Sequence, residues 1–424
     1  MDMNAELIDL SPVLLLAAIG LALAAGPILW LLRRQRHAST PQRLRALTLL
    51  ALFLTFDLIV FGAYTRLSDS GLGCPDWPGC YGSVSPIGAS PEIHAAQTAM
   101  PTGPVTHGKA WVEMIHRYLA TGVGMLLVVL CAWSWRAARR ATGSALASVP
   151  VSPGWSTLSL IWVCLQGAFG ALTVTMKLNP GIVTLHLLGG IGLLALLAVQ
   201  AQRYTAALAT PASAANMPGD GLWPSPVRLT AGLRRAVLAV LLLVIVQVTL
   251  GGWVSTNYAV LACTDFPTCQ GSWWPEMDFT HAYTWRPALG LTADGHNLTL
   301  ATLTAIHVTH RLAAFAVLAA MLALAFALRR HADAPARPYG AWLIGLSAWQ
   351  LASGLSNVVL GWPLLAALAH TAGAAALVAV LAALLAASVA PAAARRSTFD
   401  ADGTTPSRPA ARHDARPAAT PESA

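Results

Sequence analysis

Nine apolar stretches, each long enough to cross a bilayer as a helix, constrain this chain more than any other feature. They lie at about 11–32, 46–65, 113–133, 155–176, 181–201, 235–255, 303–328, 340–361 and 363–388. A spanning helix needs about 20 mainly apolar residues. In lipid, every backbone polar group must find its partner within the protein, which leaves helices or closed barrels. Runs of this length select helices. Only 10% of the 424 residues are charged and 56% are hydrophobic, far from the balance of a soluble domain. The expected class is an all-α polytopic membrane protein.

The formal net charge of +8 invites a nucleic-acid reading, which the placement of the charges excludes. Arginine gathers in alternate loops: Arg33, Arg34, Arg36, Arg43 and Arg45, then Arg136, Arg139 and Arg140, then Arg203, Arg228, Arg234 and Arg235, then Arg329, Arg330 and Arg337, and finally Arg395 and Arg396. Basic loops stay cytoplasmic, so the N-terminus is expected outside and the C-terminus inside. Asp2, Glu6 and Asp9 precede the first apolar run and the arginines follow it, the reverse of a signal peptide or a mitochondrial presequence. Lys109 and Lys177 are the only lysines, as in an arginine- and alanine-rich bacterial proteome. A bacterial inner membrane, with the N-terminus periplasmic and the C-terminus cytoplasmic, is the expected location.

Beyond an extra N-terminal helix and its basic loop (1–45), the chain divides into two four-helix halves, 46–201 and 235–388. The connector 202–234 holds Pro211, Pro218, Pro224 and Pro226 and reads as a cytoplasmic linker. Residues 389–424, rich in Ala, Pro, Arg and Thr, read as a disordered tail. Both halves enter their first helix from the cytoplasm, so the expectation is a parallel repeat about a pseudo-two-fold axis along the membrane normal.

What repeats is ionisable. His116 and His186 in the first half match His310 and His370 in the second. Arg117 and Arg311 follow the first histidine of each pair; Gln166 and Gln350 lie twenty residues before the second, Gly170 and Gly354 sixteen before it. A histidine inside a membrane helix is costly and marks a site. Two imidazoles on facing helices can hold a haem iron from both sides, and four-helix bundles house such groups in their cores. All four histidines fall near the outer ends of their helices, so two sites would lie side by side at one face rather than stacked across the membrane. The repeat breaks three residues before each first histidine, where Glu113 answers to His307. Positions three apart share a helix face, so Glu113 is expected to face the first pocket and move protons there; an interfacial glutamate at a helix start is the plainer reading. For Arg117 and Arg311 the expected partners are haem propionates or an outer carboxylate. Each long outer loop carries C-x-D-[WF]-P-x-C-x-G, with Cys74 and Cys80 in one and Cys263 and Cys269 in the other. On an oxidising face these pairs read as disulfides, either structural staples or redox-active couples, with metal binding a weaker alternative. Cys131 and Cys164 read as packing residues.

Taken together, Glu113-Met-Ile-His116-Arg117, His186, Thr309-His310-Arg311, His370 and the paired loop cysteines resemble the haem A synthase family, over about 46–388. The resemblance implies oxidation of a porphyrin methyl of haem O to the formyl of haem A. It implies His116 and His186 flanking the substrate haem, Glu113 as catalytic carboxylate, and His310 and His370 holding a resident haem b. Implied partners are haem O synthase, cytochrome oxidase or its assembly factors, an electron donor the sequence does not identify, and membrane lipid, with a homo-oligomer left open. The extra helix 11–32 lies outside the family pattern, and cysteine pairs in both loops are not universal in it. Two other readings stand beside this one: a quinone-linked dihaem b electron-transfer subunit, and a transporter of parallel repeats.

Overall fold

A computed structural model describes residues 11–140, 151–208, 226–285, 288–292 and 294–389. The acidic leader, most of the connector and nearly all of the expected tail lie outside the described residues. Among the described residues nine long helices form: α1 (Ser11–Arg34), α2 (Thr40–Leu67), then, after a short α3 (Ser90–Ala99), α4 (His107–Arg140), α5 (Gly154–Thr175) and α6 (Pro180–Leu208). The second half contains α7 (Ala231–Thr256), a single turn α8 (Phe279–Ala282), α9 (Leu300–Arg329), α10 (Arg337–Val359) and α11 (Leu364–Ala387).

Eight of the nine are long and apolar enough to cross a membrane. The exception among the expected spans is α10, whose 23 residues include Ser347, Gln350, Ser353, Ser356 and Asn357. That polarity is explained by its neighbours, α9 and α11, since it places hydrogen-bonding groups inside a bundle.

In the first half α2 packs on α4, α4 on α5, α5 on α6 and α6 back on α2; in the second, α7, α9, α10 and α11 close the same cycle. The halves meet where α6 packs on α7 and α11, and α2 on α11. Outside these cycles α1 packs on α4, and more lightly on α2. Its Leu16 joins Cys74, Cys80, Ala110 and Met114 in one buried cluster, so the extra helix supports the first cysteine loop.

The apolar cores gather toward the basic-loop ends of the helices. Leu44, Leu47, Leu126, Leu130, Leu193 and Leu197 form one cluster; Val240, Leu324, Leu328, Leu343, Leu381 and Leu384 belong to another. The connector contributes more than expected. Residues 202–208 continue α6, and Val227 and Leu229 are fully buried in the second core. There Val227–Arg228 (β1) pairs in parallel with Ser388–Val389 (β2), and the Arg228 N–H donates to Asp333 (2.7 Å). Two apolar side chains drive this docking. At the opposite end Arg66 of α2 reaches the other half: it donates to the Ser255 carbonyl (2.6 Å) and lies over the Tyr258 ring, 4.1 Å from its centroid.

Candidate functional site

Each of the four repeated histidines lies against a glycine on the neighbouring helix. A Cβ added at Gly62 (α2) would sit 3.0 Å from the His116 ring, at Gly170 (α5) 3.2 Å from His186, at Gly251 (α7) 3.0 Å from His310, and at Gly354 (α10) 3.1 Å from His370. No larger residue lets the rings lie this close to the neighbouring backbone. The four rings are half-buried. They stand about 9–15 Å along α4, α6, α9 and α11 from the ends nearer the cysteine loops or the short α5–α6 and α10–α11 turns. The rings of His116 and His186 are within electrostatic reach of each other, as are those of His310 and His370.

Three of the four rings are met by a polar side chain from the helix that carries the glycine. Gln166 Nε2 donates to the His186 carbonyl (2.6 Å) and lies 3.1 Å from His186 Nδ1. Gln247 does the same for His310, at 3.1 and 3.0 Å. Gln350 donates to the His370 carbonyl (2.9 Å), while Ser353 Oγ takes Nδ1 at 3.0 Å. In each case the glutamine precedes the glycine by four residues, so the two share a helix face. Gly62, Gly251, Gln247 and Ser353 were not singled out from the sequence. The spacing Gln-x-x-x-Gly, already present at 166–170 and 350–354, was the signal for the pair at 247–251. Among the described residues no group of three or more His, Cys, Asp or Glu could hold a metal ion, which leaves the paired histidines as the candidate ligands.

The cysteine loops are two copies of one device. Cys74–Cys80 and Cys263–Cys269 are disulfides, with S–S distances of 2.11 and 1.98 Å, so the metal-binding reading of these cysteines falls away. After each second cysteine the chain turns back through two residues of positive φ, Tyr81–Gly82 and Gln270–Gly271, closing a Cys80–Ser83 or Cys269–Ser272 bridge. A two-residue turn with both φ positive favours glycine, which explains the last position of the motif. Its aspartate caps the turn. Asp76 accepts from the Tyr81 and Gly82 N–H groups (2.6 and 2.8 Å), Asp265 from those of Gln270 and Gly271 (2.7 and 3.0 Å). The Thr268 hydroxyl, then the Gly271 and Gln270 amides, hold the Asp265 carboxyl down at about 2. His281, then the Thr280 amide and the Thr302 hydroxyl, hold Asp278 in the same loop at about 2.

The arginines after His116 and His310 bind these loops. Arg117 donates to the carbonyls of Pro78 (3.1 Å) and Gly79; Arg311 donates to those of Asp265, Thr268 and Cys263 (3.0, 3.0 and 2.8 Å). Neither of the partners expected from the sequence was a backbone carbonyl. Glu113 is not at a helix start, because α4 begins at His107. It is 4% exposed, pairs with Arg117 (2.5 Å), and accepts the Cys74 N–H (2.8 Å). One carboxylate therefore joins the loop disulfide, Arg117 and the helix that carries His116. Its counterpart His307 is equally buried, with Nδ1 unpartnered among the described residues. Of the remaining cysteines, Cys131 is buried as expected, whereas Cys164 lies exposed on α5, on a helix with few buried residues.

The profile of the COX15-CtaA family, described as cytochrome oxidase assembly protein, matches residues 45–382. The Heme A synthase of Shewanella oneidensis is 37% identical over 335 residues, 78% of this chain and 92% of that protein. The Heme A synthase of a Methylobacterium species is 30% identical over 353 residues, covering 80% and 90% of the two chains. That of Shouchella clausii is 28% identical over 242 residues, 57% of this chain and 67% of its own.

Proposed function

The chain belongs to the COX15-CtaA family of cytochrome oxidase assembly proteins, and on that premise we propose that it is a membrane-bound haem A synthase. It oxidises a porphyrin methyl of haem O to the formyl of haem A, for cytochrome oxidase assembly. The observation that carries this reading is the doubled histidine–glycine cradle at one end of the bundle. The relatives' names speak for synthesis rather than for a quinone-linked electron-transfer subunit.

The residues present fit a haem in each half. Ser353 Oγ donates to the Trp349 carbonyl (2.7 Å), so it accepts from His370 Nδ1–H and leaves Nε2 free for iron. At His186 and His310 the glutamine Nε2 that holds the carbonyl also meets Nδ1, at 3.1 and 3.0 Å, so Nε2 is the ring nitrogen left for iron. Such outer partners fix the tautomer and ring plane of a ligating histidine. His310 and His370 would hold a resident haem b, with Arg311 fixing the loop above it. When bound, that haem supplies a one-electron redox centre.

His116 and His186 would hold the substrate haem O, later the product haem A. Glu113, tied to Arg117 and the Cys74 amide, is assigned the proton-handling role at the substrate. Converting a methyl to a formyl is a four-electron oxidation that releases protons, and a buried carboxylate paired to an arginine can hold or pass one at its Oε1 or Oε2. The protein is assigned to the bacterial inner membrane with its N-terminus periplasmic, its two halves related by a pseudo-two-fold along the membrane normal. Haem O synthase would supply the substrate; the four electrons leave to an external oxidant, and where dioxygen is that oxidant an electron donor reduces its second oxygen atom.

The test is co-expression with haem O synthase in a host lacking haem A, followed by chromatography of the extracted haems. The native chain should yield formyl-bearing haem. Unchanged haem O alongside folded, haem-loaded protein would overturn the proposal.

A further inference from the structure

The four imidazoles are not held alike. Gln166, Gln247 and Gln350 each stand four residues before the glycine that receives a ring, but before Gly62 the same position is Leu58. Among the described residues no hydrogen bond reaches the His116 ring; its neighbours are Gly62 and Phe61, stacked at 6.3 Å and 7°. The ring also lies the other way over. At Gly62 the nearest ring atoms are Nε2 (3.0 Å) and Cδ2 (3.7 Å), whereas at Gly251 they are Cε1 (3.0 Å) and Nδ1 (3.6 Å) of His310. A half-turn about Cβ–Cγ exchanges Nε2 with Cε1 and Cδ2 with Nδ1. Among the described residues no hydrogen-bond partner fixes which of these orientations the His116 ring keeps.

We infer that His116 is the exchangeable ligand of its pair: Leu58 leaves its imidazole unclamped, so it yields its place on a bound haem iron, while His186 and His310, whose rings a glutamine meets, and His370, whose ring Ser353 meets, stay. This rests on the haem-binding reading above and adds how one site opens a coordination position while the other stays closed. In ligating histidines, loss of an outer hydrogen bond weakens the metal bond; one such bond between neutral groups corresponds to about a fivefold change in an equilibrium constant.

The experiment uses the haem-loaded full chain, reduced and titrated with carbon monoxide, which binds ferrous haem only where an axial ligand gives way. The native chain should bind carbon monoxide at one of two haems. Leu58→Gln should weaken that binding about fivefold or more, Leu58→Met should leave it as in the native chain, and Gln247→Leu should open the second haem to the gas. Equal binding in the native and Leu58→Gln chains, each carrying its full haem complement, would overturn the inference. So would binding at neither haem of the native chain. Because the readout is a ligand-binding spectrum, it separates from the haem A assay: formyl haem with no effect of Leu58→Gln sinks this inference alone, and the expected carbon monoxide pattern without formyl haem sinks only the assigned reaction.

Discussion

Replacing Gly354 with alanine sets two opposed effects against each other. Alanine is favoured over glycine inside a helix by about 0.8–1.0 kcal/mol, so α10 itself gains. The new Cβ, however, would stand 3.1 Å from His370 Cε1, where ordinary contact begins at 3.4 Å. The ring must give way by a few tenths of an ångström while Gln350 and Ser353 hold its carbonyl and Nδ1. Overpacking of this kind costs about 1–3 kcal/mol, and here it falls on the geometry of one ligand. Gly345 on the same helix is the control, because nothing lies within 4 Å of an added Cβ. With the two proteins purified under limiting haem, Gly345→Ala should keep its full haem complement and melt no lower than the native chain. Gly354→Ala should retain its helices but bind the second-half haem about 5–30-fold more weakly, the factor that corresponds to one or two kcal/mol. Identical haem content and identical spin-state spectra in the two variants would refute the cradle argument.

Other consequences follow from the loop and its carboxylates. Glu113→Gln keeps an acceptor for the Cys74 amide but loses the proton-handling group. Formyl haem production should fall by about 10²–10⁴-fold while haem binding persists; unimpaired production in the variant contradicts the assignment. Arg311→Ala removes three hydrogen bonds from a charged donor to the second loop, each worth about 1.5–3 kcal/mol. The Cys263–Cys269 bond should then be reduced markedly faster by a phosphine in a mass-spectrometric time course, and an unchanged rate would mean the arginine does not secure the loop. The Asp265 carboxyl sits at about 2, below its ordinary 3.8. A depressed carboxyl stabilises above the unfolded value and loses that contribution as pH falls through the folded one. Amide exchange at Gln270 and Gly271 should therefore stay protected from pH 7 to 4 and open only toward pH 2; opening near pH 6 would contradict the capping role.

The membrane class and the histidine pairs were legible in the sequence because lipid leaves few solutions for long apolar runs and makes each buried ionisable group conspicuous. Less legible was anything that depends on a partner without charge. Gly62 and Gly251 are unremarkable glycines until a ring from another helix lies against them, and Leu58 hides the glutamine pattern in the first half. Apart from the Arg117–Glu113 pair, the targets of Arg117 and Arg311 are backbone carbonyls some forty residues away in sequence, which no side-chain pattern announces. The polar face of α10 lowers its apolar character below that of the other long helices, and the reason is visible only once Gln350 and Ser353 meet His370. The docking of Val227 and Leu229 was masked by the prolines around them, which read as a linker.

If each histidine pair grips its own haem and the two haems differ, co-expression with haem O synthase will show each double variant losing one haem and keeping the other. His310→Ala with His370→Ala should remove haem b alone, and His116→Ala with His186→Ala should remove haem O and haem A alone. Loss of both haem types from either variant, in protein that still folds and inserts, would contradict the account.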